Sequence, residues 1–384
     1  MGYELTQDVI TWLDGQVDEC HRLLKELCLI PAFSHHEDEK AAAVKAWLDG
    51  IGAKGAYIDE AKNVVFPVGC EGRDDIVVFQ AHTDTVFPMD TPLEFIDDGE
   101  KFHCPSITDD TGNLVNMLMT VKYVVEHNVQ PKCGILFVAN SGEEGLGNLK
   151  GTRQLFKDYE GRIRRFFTFD GGYGGCAPVC VGSHRYQVDV TAKGGHSWSQ
   201  FGITNAIVEL AKLIEKLSHV ELPVKEGCRT SWNVGTIEGG TSVNTIAPNA
   251  SMLYEYRSED AGCLAYMEKF FYDTVEAFRQ TTDANVEVTV VGKRPCGEAE
   301  DKVTHQEMID RLREVCLRHS GLGTFYIKSS STDCNIPLSL GIPAVCGGLL
   351  LGGGAHTVKE WVYKHSLPIG MRIGAEIILD YFNI

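Results

Sequence analysis

The sequence predicts an α/β fold in which helices cover both faces of a mostly parallel sheet, with a smaller domain inserted into it. Three short apolar runs alternate with three helical patterns, at 76–81, 134–140 and 165–170 for the runs and 8–28, 38–53 and 110–128 for the helices. Buried runs that alternate with helices are typical of parallel sheets covered on both faces. From about residue 184 the segments follow the order βαββαβ, which is that of a ferredoxin-like α+β sandwich.

The domain boundaries follow from this change. We expect a first part at 1–183, an insert at 184–292, and a second part of the same domain at 293–384. After "KRPCG" the first pattern resumes, with a helix at 302–319, strands near 324–328 and 342–347, and a closing helix. Both helices of the insert would cover one face of its sheet, so its outer strand could pair with a copy of itself. We expect a homodimer through the insert.

The composition excludes several classes of partner. A formal charge of -18 argues against nucleic acid and anionic membrane surfaces. No apolar run is long enough to span a membrane, and the first twenty residues lack the basic and apolar regions of a secretory signal. The thirteen cysteines follow no pattern, which favours reduced thiols and a cytoplasmic location.

Histidines and acidic residues follow the predicted strands. They are His82 and Asp84 in "HTD", Asp109 in "ITDDTGN", Glu143 and Glu144 in "SGEEG", Asp170 in "FDGG" and His356 in "GGGAHT". Because the carboxyl ends of parallel strands line one crevice, these side chains would meet there. Histidines and carboxylates are ligands for zinc, manganese or cobalt, and this many of them suit two ions that share a bridging carboxylate.

Each of these signals has an ordinary structural alternative. An aspartate at a helix start, such as Asp109 or Asp110 before the helix at 110–128, is most often an N-cap. Adjacent glutamates such as Glu143 and Glu144 often lie in a solvated loop, and an aspartate before two glycines often forms a turn. The signals carry weight because they all fall at the same predicted sheet edge.

The chain resembles the dinuclear-zinc metallopeptidase family that includes aminoacylase, peptidase T and the glutamate carboxypeptidases. The motifs that carry the resemblance span nearly the whole chain in the family's order: "AHTDTV", "TDDTGN", "SGEEG", "FTFDGG", "KGGHS", "GGTSVNTIAPNA", "YEYRS", "SSTDCN" and "GGGAHT". The resemblance implies a zinc-exopeptidase-like catalytic domain with an inserted lid or dimerisation domain.

The resemblance also implies roles for the residues at the strand ends. Two divalent ions, zinc or alternatively manganese or cobalt, would be held by five residues: one by His82 and Asp170, the other by Glu144 and His356, with Asp109 as the bridge. Asp84 would orient His82 through the second ring nitrogen, and Glu143 would be the general base. A non-prolyl cis peptide bond is implied between Asp109 and Asp110.

Four further residues match positions that contact the substrate in the family. His196 in "KGGHS" resembles the histidine that reaches the other subunit's active site and stabilises the oxyanion. Asn244 and Arg257 match positions that hold the substrate's backbone or carboxylate. The glycines around Gly353 would let the backbone approach the substrate. The ordinary alternatives are a loop histidine and an exposed strand arginine.

The predicted function is hydrolysis of an amide bond in small peptides by a cytoplasmic di- or tripeptide exopeptidase similar to peptidase T. Asp170, rather than a glutamate, favours the peptidase members. The alternative is a carboxypeptidase or N-acyl-amino-acid deacylase of the same family. A third hypothesis is a catalytically silent metal-binding dimer, which the loss of Glu143 or of a metal ligand would favour. The sequence has Glu143 and all five proposed ligands.

Overall fold

The computed structural model describes residues 2–384. The helices are α1 (Gln7–Asp14), α2 (Val17–Cys28), α3 (Asp38–Gly50), α4 (Gly112–Glu126), α5 (Lys150–Asp158), α6 (Ala206–Ser218), α7 (Ala261–Arg279), α8 (Lys302–Ser320), α9 (Asn335–Ser339) and α10 (Ser366–Leu379), with a π-helical turn at Ile107–Thr111. None of these helices combines the length and the apolar character needed to cross a bilayer.

The strands are short and numerous. They are β1 (Tyr57–Ile58), β2 (Val64–Val68), β3 (Ile76–His82), β4 (Ile96–Asp97), β5 (Lys101–His103), β6 (Gln130–Pro131), β7 (Gly134–Asn140), β8 (Ile163–Thr168), β9 (Gly175–Cys180), β10 (Gly182–Thr191), β11 (Gly195–His196), β12 (Thr230–Gly239), β13 (Thr245–Ile246), β14 (Asn249–Ser258), β15 (Asn285–Arg294), β16 (Tyr326–Ser330), β17 (Ala344–Gly347), β18 (Gly352–Gly353), β19 (Trp361–Tyr363) and β20 (Phe382–Asn383).

The chain forms two compact units. One contains the residues before Val181 together with Glu298–Ile384, and the other is Val181–Gly297. The predicted insert, 184–292, is shorter at both ends. The difference arises because β10 and β15 pair out to Ser183 and Arg294, so both strand ends belong to the insert's sheet.

The larger unit is built on an eight-stranded sheet in the order β1-β2-β7-β3-β8-β17-β9-β16. Its central strands β7, β3, β8 and β17 run parallel, whereas β1, β2 and β9 join antiparallel to their inner neighbours. In register, His82 lies opposite Asn140, and Gln80 lies opposite Thr168. The carboxyl ends of β3, β7 and β8 therefore lie side by side.

Aromatic rings form the centre of this unit's core. Phe79 is fully buried on β3 and stacks on Phe137 of β7 and on Phe167 of β8, with ring centroids 6.0 and 5.1 Å apart. Such rings bury a large apolar area each, which is the main favourable contribution to folding. Helices α4 and α10 contact each other and are largely buried, and α4 also contacts β3, so α4 and α10 extend this core.

The smaller unit is an antiparallel sheet in the order β12-β14-β10-β15. Helices α6 and α7 both contact β10 and β14, and Tyr186 of β10 stacks on Phe271 of α7 at 4.3 Å. The element order is β10-α6-β12-β14-α7-β15 once the two-residue strands are set aside. This is the ferredoxin-like order, and the predicted fold class is confirmed.

Three details of the prediction were wrong. The helical pattern at 8–28 is two helices, because the chain breaks at Gly15 and Gln16. Neither Asp109 nor Asp110 caps α4, whose N-cap is Thr111; both carboxylates bond to other groups. Strand β9 was not predicted, since Pro178 within it cannot donate to a sheet ladder.

Candidate metal centre

The predicted site residues of the larger unit lie at the carboxyl edge of its sheet. His82 is the last residue of β3, Asp170 follows β8, and Glu143 and Glu144 follow β7. His82 and both glutamates are buried. Asp109, in the turn at Ile107–Thr111, lies at the same edge of the sheet. The parallel register brings these strand ends together, as the sequence predicted.

Two groups of side chains could each hold a metal ion. The first is His82, Asp109 and Asp170, and the second is Asp109, Glu144 and His356; within each group the ligand atoms all lie within 4.8 Å of one another. His82 Nε2 lies 2.9 Å from Asp109 Oδ1, and His356 Nε2 lies 3.1 Å from Asp109 Oδ2. Asp109 therefore presents one oxygen to each group, which is the arrangement of a bridging carboxylate.

The charges of these residues depend on their burial and on one another. Burial, reinforced by the neighbouring Asp109 carboxylate, raises the pKa of Asp170 to about 7. Burial would also raise the pKa of Asp109, but hydrogen bonds from His356 and His82 outweigh it and hold that pKa well below its usual value. A hydrogen bond to Asp109 and the nearby Glu144 carboxylate raise the pKa of His356 to about 10. The group thus favours added positive charge.

The donor set fits divalent cations. Glu144 Oε1 is buried and makes no hydrogen bond, although His356 Nε2 lies 3.3 Å away. A buried carboxylate oxygen left without a partner is costly, and a cation held between Glu144, His356 and Asp109 would remove that cost. Imidazole nitrogens with carboxylate oxygens are the ligands that zinc, manganese and cobalt accept.

Asp84 lies against the second ring nitrogen of His82. The ring nitrogen Nδ1 of His82 lies 3.0 Å from the backbone carbonyl oxygen of Asp84, whereas the carboxylate is 3.6 Å away. A carbonyl only accepts, so Nδ1 carries a proton, and Nε2, which faces Asp109, is the ring nitrogen that would give up its proton to bind a metal. The orienting group is therefore the backbone of Asp84, because its carboxylate is occupied elsewhere.

That carboxylate holds the paired glutamates. Asp84 Oδ1 accepts from the backbone N–H of Glu143 at 2.9 Å, and Oδ2 accepts from the backbone N–H of Glu144 at 3.0 Å. Ser34 donates its hydroxyl to Oδ2 at 2.6 Å. One buried carboxylate thus fixes the backbone of both glutamates beside the second candidate metal group.

The segment that carries Asp109 has an unusual backbone. The peptide bond between Asp109 and Asp110 is cis, as the resemblance implied. The Asp110 carboxylate accepts from the backbone N–H of His82 at 3.0 Å and from Asn113 Nδ2 at 2.7 Å. Asp110 thereby ties the end of β3 to the start of α4, which explains why it does not cap the helix.

Sequence reasoning missed Glu360. This side chain is fully buried, and its Oε2 accepts from the backbone N–H groups of Thr108 and Asp109 at 3.1 and 3.3 Å. Its Oε1 accepts from the backbone N–H of His356 at 3.2 Å. Burial raises the pKa of Glu360 to about 7. Glu360 thus joins the segments of two candidate ligands, and only its position four residues after His356 hinted at this.

Asp333 was missed as well, although it lies in the quoted motif "SSTDCN". It is fully buried and accepts from Thr152 Oγ1 at 2.6 Å and from Asn140 Nδ2 at 2.8 Å. Asn140 ends β7 immediately before the loop of the paired glutamates. Asp333 therefore holds the end of β7 through its hydrogen bond with Asn140.

The remaining predicted residues divide between the two units. Gly353 lies on β18 of the larger unit, where a Cβ would come within 3.0 Å of the Trp361 ring. His196 and Asn244 lie close together in the smaller unit, since the backbone N–H of Ser197 donates to the Asn244 carbonyl oxygen at 3.0 Å.

Arg257 is also in the smaller unit. Its guanidinium already binds the Glu255 carboxylate through two hydrogen bonds of 3.0 Å each. This fork geometry is the one by which an arginine would hold a substrate carboxylate.

The comparisons with known proteins agree with this geometry. The model of peptidase family M20/M25/M40 matches residues 78–380. The chain belongs to this family. The M20 family is metal-dependent and typically dinuclear, so the protein is a metallopeptidase-type hydrolase and an enzyme.

Relatives of this M20 protein include several peptidases. Carboxypeptidase G2 of Pseudomonas sp. (strain RS-16) is 25% identical over 364 residues, covering 86% of this chain and 84% of the relative. A tripeptidase structure from Staphylococcus aureus has a TM-score of 0.73 at 23% identity, covering 94% of this chain and 97% of its own. A dinuclear metal-binding M20 peptidase from Bacillus subtilis has a TM-score of 0.65 at 14% identity, covering 95% and 98%. The two structures support the fold.

Proposed function

We propose that this M20 protein is a two-metal exopeptidase that hydrolyses an amide bond in di- or tripeptides, with Glu143 as the general base. The observation that carries the proposal is the pair of candidate metal groups that share Asp109, with Glu143 fixed beside them by Asp84. We propose zinc as the native metal, with manganese or cobalt as the alternatives, since this ligand set accepts all three.

The protein's own groups would carry out the proton transfers. The ions would supply Lewis acidity, polarising the amide carbonyl and making a water molecule more acidic. Glu143 would take the proton from the attacking water and pass it to the nitrogen of the leaving amine. The adjacent Glu144 would serve as a ligand, so that the two glutamates have different tasks.

The hydrogen bonds of His196 favour the ring tautomer that could donate to an oxyanion. Its Nδ1 accepts hydrogen bonds from the backbone N–H groups of Trp198 and Ser199 at 3.2 and 3.4 Å. The proton of the neutral ring therefore lies on Nε2, which would donate to the developing oxyanion. Asn244 and Arg257 would bind the substrate's backbone or terminal carboxylate, and Gly353 would let the backbone approach it.

We propose further that the protein is a homodimer through the smaller unit, in which His196 of one subunit serves the metal centre of the other. Its outer strand β12 offers an unpaired edge. The predicted cytoplasmic location, and the predicted absence of nucleic-acid and membrane partners, stay predictions.

A carboxypeptidase or N-acyl-amino-acid deacylase is the second candidate. The observation that favours it is the 25% identity to carboxypeptidase G2 over most of the chain. Both candidates use the same groups for the same bond chemistry, so they differ in the substrate and not in the site.

The test is hydrolysis by protein loaded with zinc, manganese or cobalt, on matched panels of dipeptides, tripeptides and N-acyl amino acids. We expect cleavage of small peptides, loss of activity when a chelator removes the metal, and its return on reloading. Metal content should be measured on the same samples by mass spectrometry. Cleavage of N-acyl amino acids alone would favour the second candidate. A protein that holds two metal ions and cleaves no member of the panels would contradict both.

A further inference from the structure

A cavity of about 430 Å³ lies beside the candidate ligand Asp170, within the larger unit. Its walls are the glycine-rich turn at 172–175, the start of β9, the end of β17 and the segment from Leu322 to Lys328. This volume is in the range of small-molecule sites. The cavity is therefore large enough to receive the side chain of a peptide residue next to the metal centre.

The walls are held by close backbone packing. The backbone N–H of Tyr326 donates to the Gly174 carbonyl oxygen at 2.9 Å. A Cβ on Gly175 would lie 2.8 Å from the Tyr326 carbonyl oxygen, and Gly174 has a φ of 103°, so larger residues would be strained at both positions. The glycine-rich turn thus lets β9 and β16 meet closely while the cavity beside them stays open.

The cavity has one positive charge to offer. Among its lining residues, Lys328 is the only cation and Asp170 the only carboxylate. In the part of the chain that the structure describes, Lys328 forms no salt bridge and donates no hydrogen bond from its ammonium group. Under the proposed function the charge of Asp170 is engaged by a metal ion. The Lys328 ammonium is then available for an anionic group of the substrate.

We propose that this cavity receives the side chain of the residue on the acyl side of the scissile amide, and that Lys328 selects a carboxylate there. The assignment rests on the proposed function, in which the metal ions polarise the scissile carbonyl: that carbonyl belongs to the acyl-side residue, and the cavity is lined by the candidate ligand Asp170. The substrate class is therefore peptides with aspartate or glutamate on the acyl side of the cleaved bond, which in a dipeptide is the N-terminal residue. A lysine suits this task because its flexible ammonium can follow carboxylates on chains of different length.

The test compares Glu-Ala with Gln-Ala, which differ in charge but hardly in shape, on the metal-loaded enzyme. We expect the wild type to have a kcat/KM about tenfold higher for Glu-Ala, since a complementary charge raises association and affinity. Lys328→Met should bring the two values together by lowering the Glu-Ala value, and Lys328→Glu should reverse the preference. Both variants should cleave Gln-Ala within about threefold of the wild type, which also shows that they fold.

Lys359→Glu is the matched control. Lys359 is exposed, lies three residues after His356 and does not line the cavity. Lys359→Glu therefore makes the same change in net charge near the metal centre as Lys328→Glu, but outside the cavity. We expect it to leave the ratio of the two kcat/KM values unchanged. If Lys359→Glu and Lys328→Glu lower the ratio of kcat/KM for Glu-Ala to that for Gln-Ala equally, the preference arises from the net charge around the metal centre. That result would overturn the role of Lys328.

The failures of the two proposals are distinguishable. If the wild type cleaves both peptides at equal rates, the cavity assignment is overturned and the proposed function stands. If the wild type cleaves neither these peptides nor any other, the proposed function fails, and the cavity assignment fails with it.

Discussion

Glu143 and Glu144 show how one buried carboxylate can position two acidic side chains. Both backbone N–H groups point at Asp84, and both side chains are buried within the same loop. The loop folds tightly on itself, since a Cβ on Gly147 would lie 2.3 Å from Gly142 Cα. The repulsion between two such carboxylates has to be offset, and a cation bound by Glu144 would offset it.

Exchanging each glutamate for glutamine should separate the two roles. Glu143→Gln should lower kcat by about 10²–10⁴-fold, the usual contribution of a general base, while its metal content stays near that of the wild type. Glu144→Gln replaces one candidate ligand oxygen by an amide nitrogen that cannot bind a cation, so it should lose metal. The measurements are steady-state hydrolysis and metal content by mass spectrometry on the same preparations.

The two variants control for each other, since each removes one charge from neighbouring positions and keeps the side-chain shape. Adding excess metal should restore part of the activity of Glu144→Gln and none of that of Glu143→Gln. Equal loss of metal from both variants would contradict the division of roles.

At this scale the sequence revealed the groups that follow apolar runs, such as His82 and Asp170. It could not reveal Glu360, because its partners are the backbone N–H groups of Thr108 and Asp109, about 250 positions away along the chain. Every residue other than proline has a backbone N–H, so a hydrogen bond to one does not depend on the partner's residue type. The N-cap expected for Asp110 was wrong for a related reason, since a short-range rule was overridden by a long-range hydrogen bond to His82.

At the scale of elements, helix α10 fixes the chain between β17 and β18 by a close approach. A Cβ on Gly370 would lie 1.4 Å from the Leu349 carbonyl oxygen, to which Asn116 Nδ2 of α4 donates at 2.6 Å. The neighbouring Gly374 also faces Leu349, but its Cβ would meet only side-chain atoms there, the nearest being Cδ1 at 3.0 Å. The two glycines therefore differ in whether the group they face can move.

Gly370→Ala should destabilise the protein by about 3 kcal/mol or more, because it forces backbone apart in a packed core. Gly374→Ala should stay within about 1 kcal/mol of the wild type, since the higher helix propensity of alanine offsets a small side-chain shift. Both values can be measured by chemical unfolding followed by circular dichroism. Equal stability of the two variants would show that the Leu349 carbonyl is not confined in this way.

Most elements could be predicted because one pattern dominates each of them. Strands β3 and β7 are buried on both faces and read as continuous apolar runs. Strand β9 contains Pro178 and begins at Gly175, so its composition resembles a turn, and only pairing with β17 and β16 makes it a strand. Pairing between segments that are far apart in sequence is the information that a local pattern lacks.

At the scale of the whole molecule, the smaller unit has an apolar rim along one edge. Ile237 on the outer strand β12 is 56% exposed, and Ile207 and Val208 of α6 are also exposed. Ile207 faces Gly239, which lies on the same side of β12 as Ile237 because side chains two apart share a face. An open strand edge beside exposed apolar side chains is a surface on which a second copy of this unit could add its own edge.

Ile237→Lys should therefore convert the proposed homodimer into a monomer. The change places a charge in the middle of the rim, where desolvation on pairing would be costly, and Ile237 is already 56% exposed, so the unit should still fold. The measurement is sedimentation velocity at micromolar concentration, with circular dichroism to show that the fold is kept. The matched control is Ile96→Lys, since Ile96 is 46% exposed on β4, an edge strand of a small sheet in the larger unit; this variant should stay dimeric.

If His196 serves the other subunit, the Ile237→Lys monomer should also lose most of its kcat while keeping its metal. A wild type that sediments as a monomer would contradict the dimer, and a monomeric variant with full activity would place His196 outside the reaction.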